Sequence, residues 1–185
     1  GKIRNRGRCH DGGAPMSYSD VSPAGVAPAL APVLNPVDRA GTATPTFTNP
    51  IMPGADPWVV WHEGFYYWCA SENDAGVSIR RAAELHEPGE KVMVWQAPAT
   101  GPYCGEIWAP ELHRLDGRWY IYVAASNGRN ATHRMIVLEA KGDDPRDGFA
   151  FKAELYTGDD WVHRHSNRWA IDGTVLEHAG QRYFL

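Results

Sequence analysis

From Asn49 onward, short runs of aromatic and β-branched residues alternate with Gly-, Asp- and Asn-bearing turns. That rhythm is the signature of strands joined by tight loops. It predicts strands over Trp58–Trp61, Phe65–Ala70, Leu112–Leu115, Trp119–Ala124, Met135–Glu139, Thr174–His178 and Arg182–Leu185. Helical periodicity is weak throughout; the mixed segment Arg80–His86 reads as a strand running into a loop. Residues 16–46 differ, being rich in Ala, Pro, Ser and Thr with neither a two-residue nor a 3.6-residue period. Residues 1–46 are therefore expected to be a flexible leader ahead of a folded unit at 47–185.

The strand pattern repeats. Asp56 opens Asp-Pro-Trp-Val-Val-Trp-His-Glu-Gly-Phe-Tyr-Tyr, Glu111 opens Glu-Leu-His-Arg-Leu-Asp-Gly-Arg-Trp-Tyr-Ile, and Asp172 opens Asp-Gly-Thr-Val-Leu-Glu-His-Ala-Gly-Gln-Arg-Tyr-Phe. Each copy is a carboxylate, a short strand, a turn ending in Gly and a strand bearing aromatics, which is a hairpin written three times. The leading carboxylates are 55 and 61 residues apart. A unit of that length, almost all strand, suits a four-stranded propeller blade with long loops; three unrelated hairpins are the plainer alternative. In a propeller the first strand of each blade lines the central channel, so Asp56, Glu111 and Asp172 would converge on one mouth.

Composition sharpens this picture. Gly and Pro number 19 and 14 in 185 residues, beside 8 Trp and 8 Tyr, a density of turn formers and aromatics that favours an all-β fold over a helix bundle. No apolar run approaches the roughly 20 residues of a membrane helix, and Pro23, Pro28 and Pro32 make Val21–Leu34 a poor signal-peptide core. The compartment stays open. Net charge is −4, against the basic face usual in nucleic-acid binders. The odd set Cys9, Cys69 and Cys104 contains no Cys-x-x-Cys, so free thiols or one isolated pair are expected.

Three strings, in order and each opening a repeat, carry a family resemblance: Pro53-Gly54-Ala55-Asp56-Pro57-Trp58, Glu106-Ile107-Trp108-Ala109-Pro110-Glu111-Leu112-His113 and Trp169-Ala170-Ile171-Asp172-Gly173-Thr174-Val175. Over Asn49–Leu185 the sequence resembles glycoside hydrolase family 43, the five-bladed β-propeller enzymes that cleave arabinofuranosides and xylosides. The wording is most similar to members that remove terminal α-L-arabinofuranose from arabinan. The resemblance implies that Asp56 is the general base activating water and that Asp172 raises the pKa of the general acid. It also implies a general acid Glu in a later Glu-Gly-Pro string, which these 185 residues do not contain. The implied substrate is an arabinose- or xylose-containing oligo- or polysaccharide. No cofactor is implied, although some relatives hold a channel calcium or sodium ion.

The division of labour is chemically coherent. An inverting glycosidase needs an ionised carboxylate to deprotonate water and a protonated one about 6.5–9.5 Å away for the leaving oxygen. A neighbouring like charge raises the pKa of that acid. Asp56 before Pro57 and Asp172 before Gly173 also read as simple turn formers. Glu111 reads as the acid on residue type alone; the resemblance makes it a channel-lining residue that binds sugar or supports the site. Trp58 and Trp108 are candidate sugar platforms, and Trp169 a weaker one, each equally explained by core packing. His163-Arg164-His165 resembles a metal-ligand pair to which His113 or His133 could add, but no Cys or carboxylate at defined spacing completes it, so no metal ligand is assigned. Asp143-Asp144 and Asp159-Asp160 read as solvated turns. Asn130-Ala131-Thr132 is a sequon.

Residues 49–185 amount to two blades and the opening hairpin of a third, about two and a half of five. Alone they are expected to leave strand edges and apolar faces uncovered, to be prone to aggregation, and to be inactive without the acid. A β-xylosidase and a non-catalytic carbohydrate-binding propeller are the competing readings.

Overall fold

The Gly-bearing turns of the repeat are all two-residue hairpin loops in the computed structural model, which describes residues 46–185. His62 pairs with Phe65, Leu115 with Arg118 and His178 with Gln181. Both central residues have positive φ in every case: Glu63 and Gly64 (47° and 85°), Asp116 and Gly117 (51° and 80°), Ala179 and Gly180 (49° and 74°). That double left-handed step matches the right-handed twist of the strands it joins and favours Gly at its second position. The leader expectation falls on residues outside the described ones, save residue 46.

Ten strands follow: β1 Trp58–His62, β2 Phe65–Glu72, β3 Gly76–Ala82, β4 Glu90–Gln96, β5 Gly105–Leu115, β6 Arg118–Ser126, β7 Arg134–Ala140, β8 Phe149–Glu154, β9 Val175–His178 and β10 Gln181–Phe184. They form two four-stranded antiparallel meanders, β1-β2-β3-β4 and β5-β6-β7-β8, and the separate hairpin β9-β10. The sole helical element among the described residues is a 3-10 turn at Asn130–Thr132, and no helix there is long and apolar enough to cross a membrane. All seven expected strands are present, and Arg80–His86 does run from β3 into a loop. Strands β4 and β8 and the first four residues of β3 were not expected. Residues 76–79 of β3 are buried on both faces, which erases alternation. β4 and β8 are outer edge strands, each with an apolar residue, Met93 and Phe151, on its exposed face.

One core joins the two meanders. Tyr67, Val77 and Ile79 of the first sheet share it with Leu112, Ile121 and Ile136 of the second. In β6 every second residue from Trp119 to Ala125 belongs to this core, the two-residue period of a strand with one face inward. Burying each such aliphatic side chain contributes about 1.5–3 kcal/mol. Trp119, though 1% exposed, keeps its indole N–H satisfied by donating to the Asp143 carbonyl at 3.0 Å. Cys69 is a free thiol buried here, and Cys104 is disulfide-bonded, so of the two cysteine expectations the isolated pair is the one realised.

The β9-β10 hairpin docks on the second meander. Arg182 makes a bidentate ion pair with Asp116 at 3.0 and 3.1 Å, and the Phe184 ring lies 5.4 Å from that of Tyr122. Thr174 and Leu185 extend the hairpin by exchanging backbone hydrogen bonds of 3.0 and 3.1 Å. Leu176, Tyr183 and Leu185 are exposed.

Candidate functional site

The strand-entry segments meet at one place. Asp56, Pro57 and Trp58 before and in β1, Ala109, Pro110 and Glu111 in β5, and Asp172 before β9 line a cavity of about 230 Å³. The three carboxylates that lead the repeats are thus neighbours, as are Asp56 and Trp58. A larger depression lies at the opposite ends of β5 and β9, around Asp116, Glu177 and Arg182. It is spanned by the ion pairs of Arg182 with Asp116 and Glu177.

Backbone strain concentrates at the smaller cavity. Asp56, Ala109 and Asp172 all have left-handed φ, at 49°, 43° and 55°. For a non-glycine residue that conformation costs roughly 1–2 kcal/mol, and such costs gather where function holds a side chain in place. Asp and Asn tolerate it better than alanine does. Strand β5 reaches this geometry by two irregularities in its pairing with β6, between Gly105 and Trp108 and between Trp108 and Glu111. Bulges of this kind re-aim side chains and explain how Pro110 sits inside a strand.

Each carboxylate has a different supporting shell. Glu111 is held: its Oε2 lies 2.8 Å from His113 Nε2, and both side chains are mostly buried. The His113 ring in turn sits 4.9 Å from Trp58 and edge-on to Tyr122, while the Trp58 indole donates to the Leu112 carbonyl at 2.7 Å. Behind this layer, burial pushes the Cys69 thiol far up, and the charge of Glu111 adds to it. The Cys69 thiol therefore stays protonated and inert. Asp56 and Asp172, by contrast, make no side-chain hydrogen bond or ion pair among the described residues and face the open mouth. Gly173, the next residue, is required by packing. A Cβ there would meet the Phe184 ring, so the hairpin's terminal aromatic packs beside the residue that follows Asp172.

Trp108 is not among the cavity-lining residues. Its half-buried ring lies 4.0 Å from that of His133 at an interplanar angle of 31°. Trp169 is half exposed and donates to the Asn130 carbonyl at 2.8 Å. His133 is fully buried with a carbonyl oxygen facing each ring nitrogen, Asn130 at 2.9 Å and Glu106 at 3.0 Å. With His113 committed to Glu111, neither histidine is free to complete a metal site. The Asp143-Asp144 turn is also more than solvated. Asp144 accepts from the backbone N–H, Nε and Nη2 of Arg146, and these bonds hold its carboxyl below the usual range.

Residue-type reasoning missed Ala109 and Pro110, whose contribution is backbone shape. It also missed His113 as the partner that orients Glu111. The signal for His113 was present, since positions 111 and 113 share one face of a strand.

A sequence model of the family described as Glycosyl hydrolases family 43 matches residues 47–185. The chain belongs to glycoside hydrolase family 43. Within its surroundings, the alpha-L-arabinofuranosidase 43 of Humicola insolens is 33% identical over 140 residues, covering 73% of this chain and 28% of that protein. The extracellular exo-alpha-(1->5)-L-arabinofuranosidase of Streptomyces chartreusis is 32% identical over 154 residues, covering 80% of this chain and 45% of that protein. Among solved structures, the alpha-L-arabinofuranosidase from Lactobacillus brevis superposes with a TM-score of 0.65 at 31% identity, over 75% of this chain and 45% of that one. The family 43 chain thus spans less than half the length of each of these relatives.

Proposed function

We propose that this family 43 chain supplies the water-activating half of an inverting α-L-arabinofuranosidase acting on terminal residues of arabinan or related plant polysaccharides. Asp56 is the general base. Asp172 raises the pKa of a general acid Glu that these 185 residues do not contain, and holds it in place. Glu111, fixed by His113, and Trp58 shape the sugar pocket. The five-bladed ring belongs to the same proposal, with the two meanders as its first blades. On this reading the 185 residues alone are inactive, because one half of the acid–base pair is worth about 10²–10⁴-fold and the leaving oxygen would go unprotonated.

One observation carries the reading: two carboxylates remote in sequence share a cavity on left-handed backbone, with no structural partner for either among the described residues. The arabinofuranosidase relatives set the preferred sugar. Turnover of aryl α-L-arabinofuranoside and aryl β-D-xyloside by the full-length protein, beside Asp56→Asn, tests it. Faster turnover of the arabinoside, abolished by Asp56→Asn, and a product of opposite anomeric configuration by NMR are expected. Xyloside preference, retained configuration, or sugar binding without turnover would each overturn the proposal.

A further inference from the structure

The loop that delivers Asp172, residues 155–171, carries a second cluster away from the cavity. It is closed at its base by Asn167, whose Oδ1 accepts from the Thr157 backbone N–H at 2.7 Å and whose Nδ2 donates to the Leu155 carbonyl at 2.7 Å. Near its tip, Asp160 Oδ1 accepts from the backbone N–H groups of Val162 (3.1 Å) and His163 (2.9 Å). Those two bonds fix the carboxylate and aim its other oxygen, Oδ2, at two imidazoles. His163 Nδ1 lies 3.4 Å and His165 Nδ1 3.6 Å from Oδ2. The two rings are parallel within 12° and 5.1 Å apart. One ligand atom from each of the three residues lies within 4.8 Å of the others, and no other His/Cys/Asp/Glu trio among the described residues does so.

These separations are long for hydrogen bonds but right for ligands around a cation. With metal–N and metal–O bonds of about 2.0–2.1 Å, the edge of a tetrahedron is about 3.3–3.4 Å. Both Asp–His separations fall within a few tenths of an ångström of that edge, and both imidazoles are exposed and have room to turn onto a shared ion. The intervening Arg164 does not oppose a cation. Its guanidinium lies 5.7 Å from the ring centres of both Tyr156 and Trp161, where the two aromatic faces hold its charge. The Tyr156 hydroxyl also accepts from the Asp160 backbone N–H at 3.1 Å, so the trio is braced from beneath.

We propose that Asp160, His163 and His165 form a binding site for one divalent transition-metal ion of the zinc type, with its remaining position open to water. Two nitrogen donors and one carboxylate select such an ion over calcium or magnesium, which take all-oxygen shells. The site cross-links the tip of the loop whose far end is Asp172. Its existence does not depend on the sugar chemistry proposed above.

The purified, chelator-treated protein is titrated with Zn²⁺ by calorimetry, and with Co²⁺ by visible absorption. One equivalent should bind, with a four-coordinate Co²⁺ spectrum that Zn²⁺ abolishes. The affinity should fall at least about tenfold in His163→Ala and in His165→Ala, by analogy with the 10–100-fold losses from weaker perturbations of metal sites. Asp160→Asn keeps an Asx-type acceptor for the two N–H groups, so it tests the carboxylate ligand without releasing the loop. His86→Ala and His178→Ala, outside the trio, should leave binding unchanged. No one-equivalent binding, or binding that survives His163→Ala and His165→Ala together, would overturn the proposal.

Discussion

At the scale of single residues, the site is defined by carboxylates that differ in how much of their bonding capacity the fold consumes. Glu111 is committed to His113, whereas Asp56 and Asp172 stand on left-handed backbone at an open mouth. Asn tolerates that backbone as Asp does, so Asp56→Asn in the full-length protein should leave the melting temperature and circular dichroism unchanged. It should lower kcat by about 10²–10⁴-fold. Ala109 shares the conformation without a polar side chain to ease it. Ala109→Gly should therefore stabilise the protein by about 0.5–1 kcal/mol, the relief of φ strain outweighing the added freedom of the unfolded chain; urea unfolding measures this. That Asp56, Asp172 and Trp58 would share one cavity was legible because each sits in a repeat-opening string. His113 and Ala109 were not, since one acts through a neighbour and the other through its backbone.

At the scale of elements, hairpins carried most of the readable signal. A Gly at the second turn position, flanked by aromatic and β-branched runs, marked all three registers. The segments that went unread are the start of β3, whose first four residues are buried on both sides, and the outer edge strands β4 and β8, whose outward faces carry the exposed apolar residues Met93 and Phe151. Without alternation, periodicity has nothing to report. The turn glycines offer a clean test, because a Cβ on Gly64 or Gly117 meets nothing within 4 Å. Gly117→Ala should thus cost only the φ penalty, about 1–2 kcal/mol in unfolding free energy. Ile121→Ala in β6, at a fully buried position, should cost about 2–5 kcal/mol because it removes core atoms and leaves a cavity. Equal losses at the two positions would contradict this separation of backbone from packing.

At the scale of the whole molecule, what matters is that consecutive β units dock so that their first strands meet, and the third unit shows how. Its Arg182 bridges to Asp116 in the turn of the second, and that guanidinium holds the Asp116 carboxyl below the usual range. A carboxyl with a depressed native pKa stabilises fully above its unfolded value, about 3.9, and loses that contribution as pH falls through the lower native value. Amide exchange across 175–184 should therefore accelerate, relative to the core of β6, on acidification from about pH 5 to below about pH 3. Asp116→Asn should abolish that relative change. Docking could not be read from the chain, because Asp116 and Arg182 are 66 residues apart and each looks like an ordinary turn or strand residue. The same hairpin packs the Phe184 ring against Gly173, next to Asp172. A crystal structure of the full-length protein carrying Asp56→Asn, soaked with an α-1,5-linked arabino-oligosaccharide, tests the shared cavity directly. The account predicts a terminal arabinofuranose seated against Trp58 and Glu111, with residues 56 and 172 both facing it. A sugar bound elsewhere, or positions 56 and 172 opening into separate cavities, would contradict it.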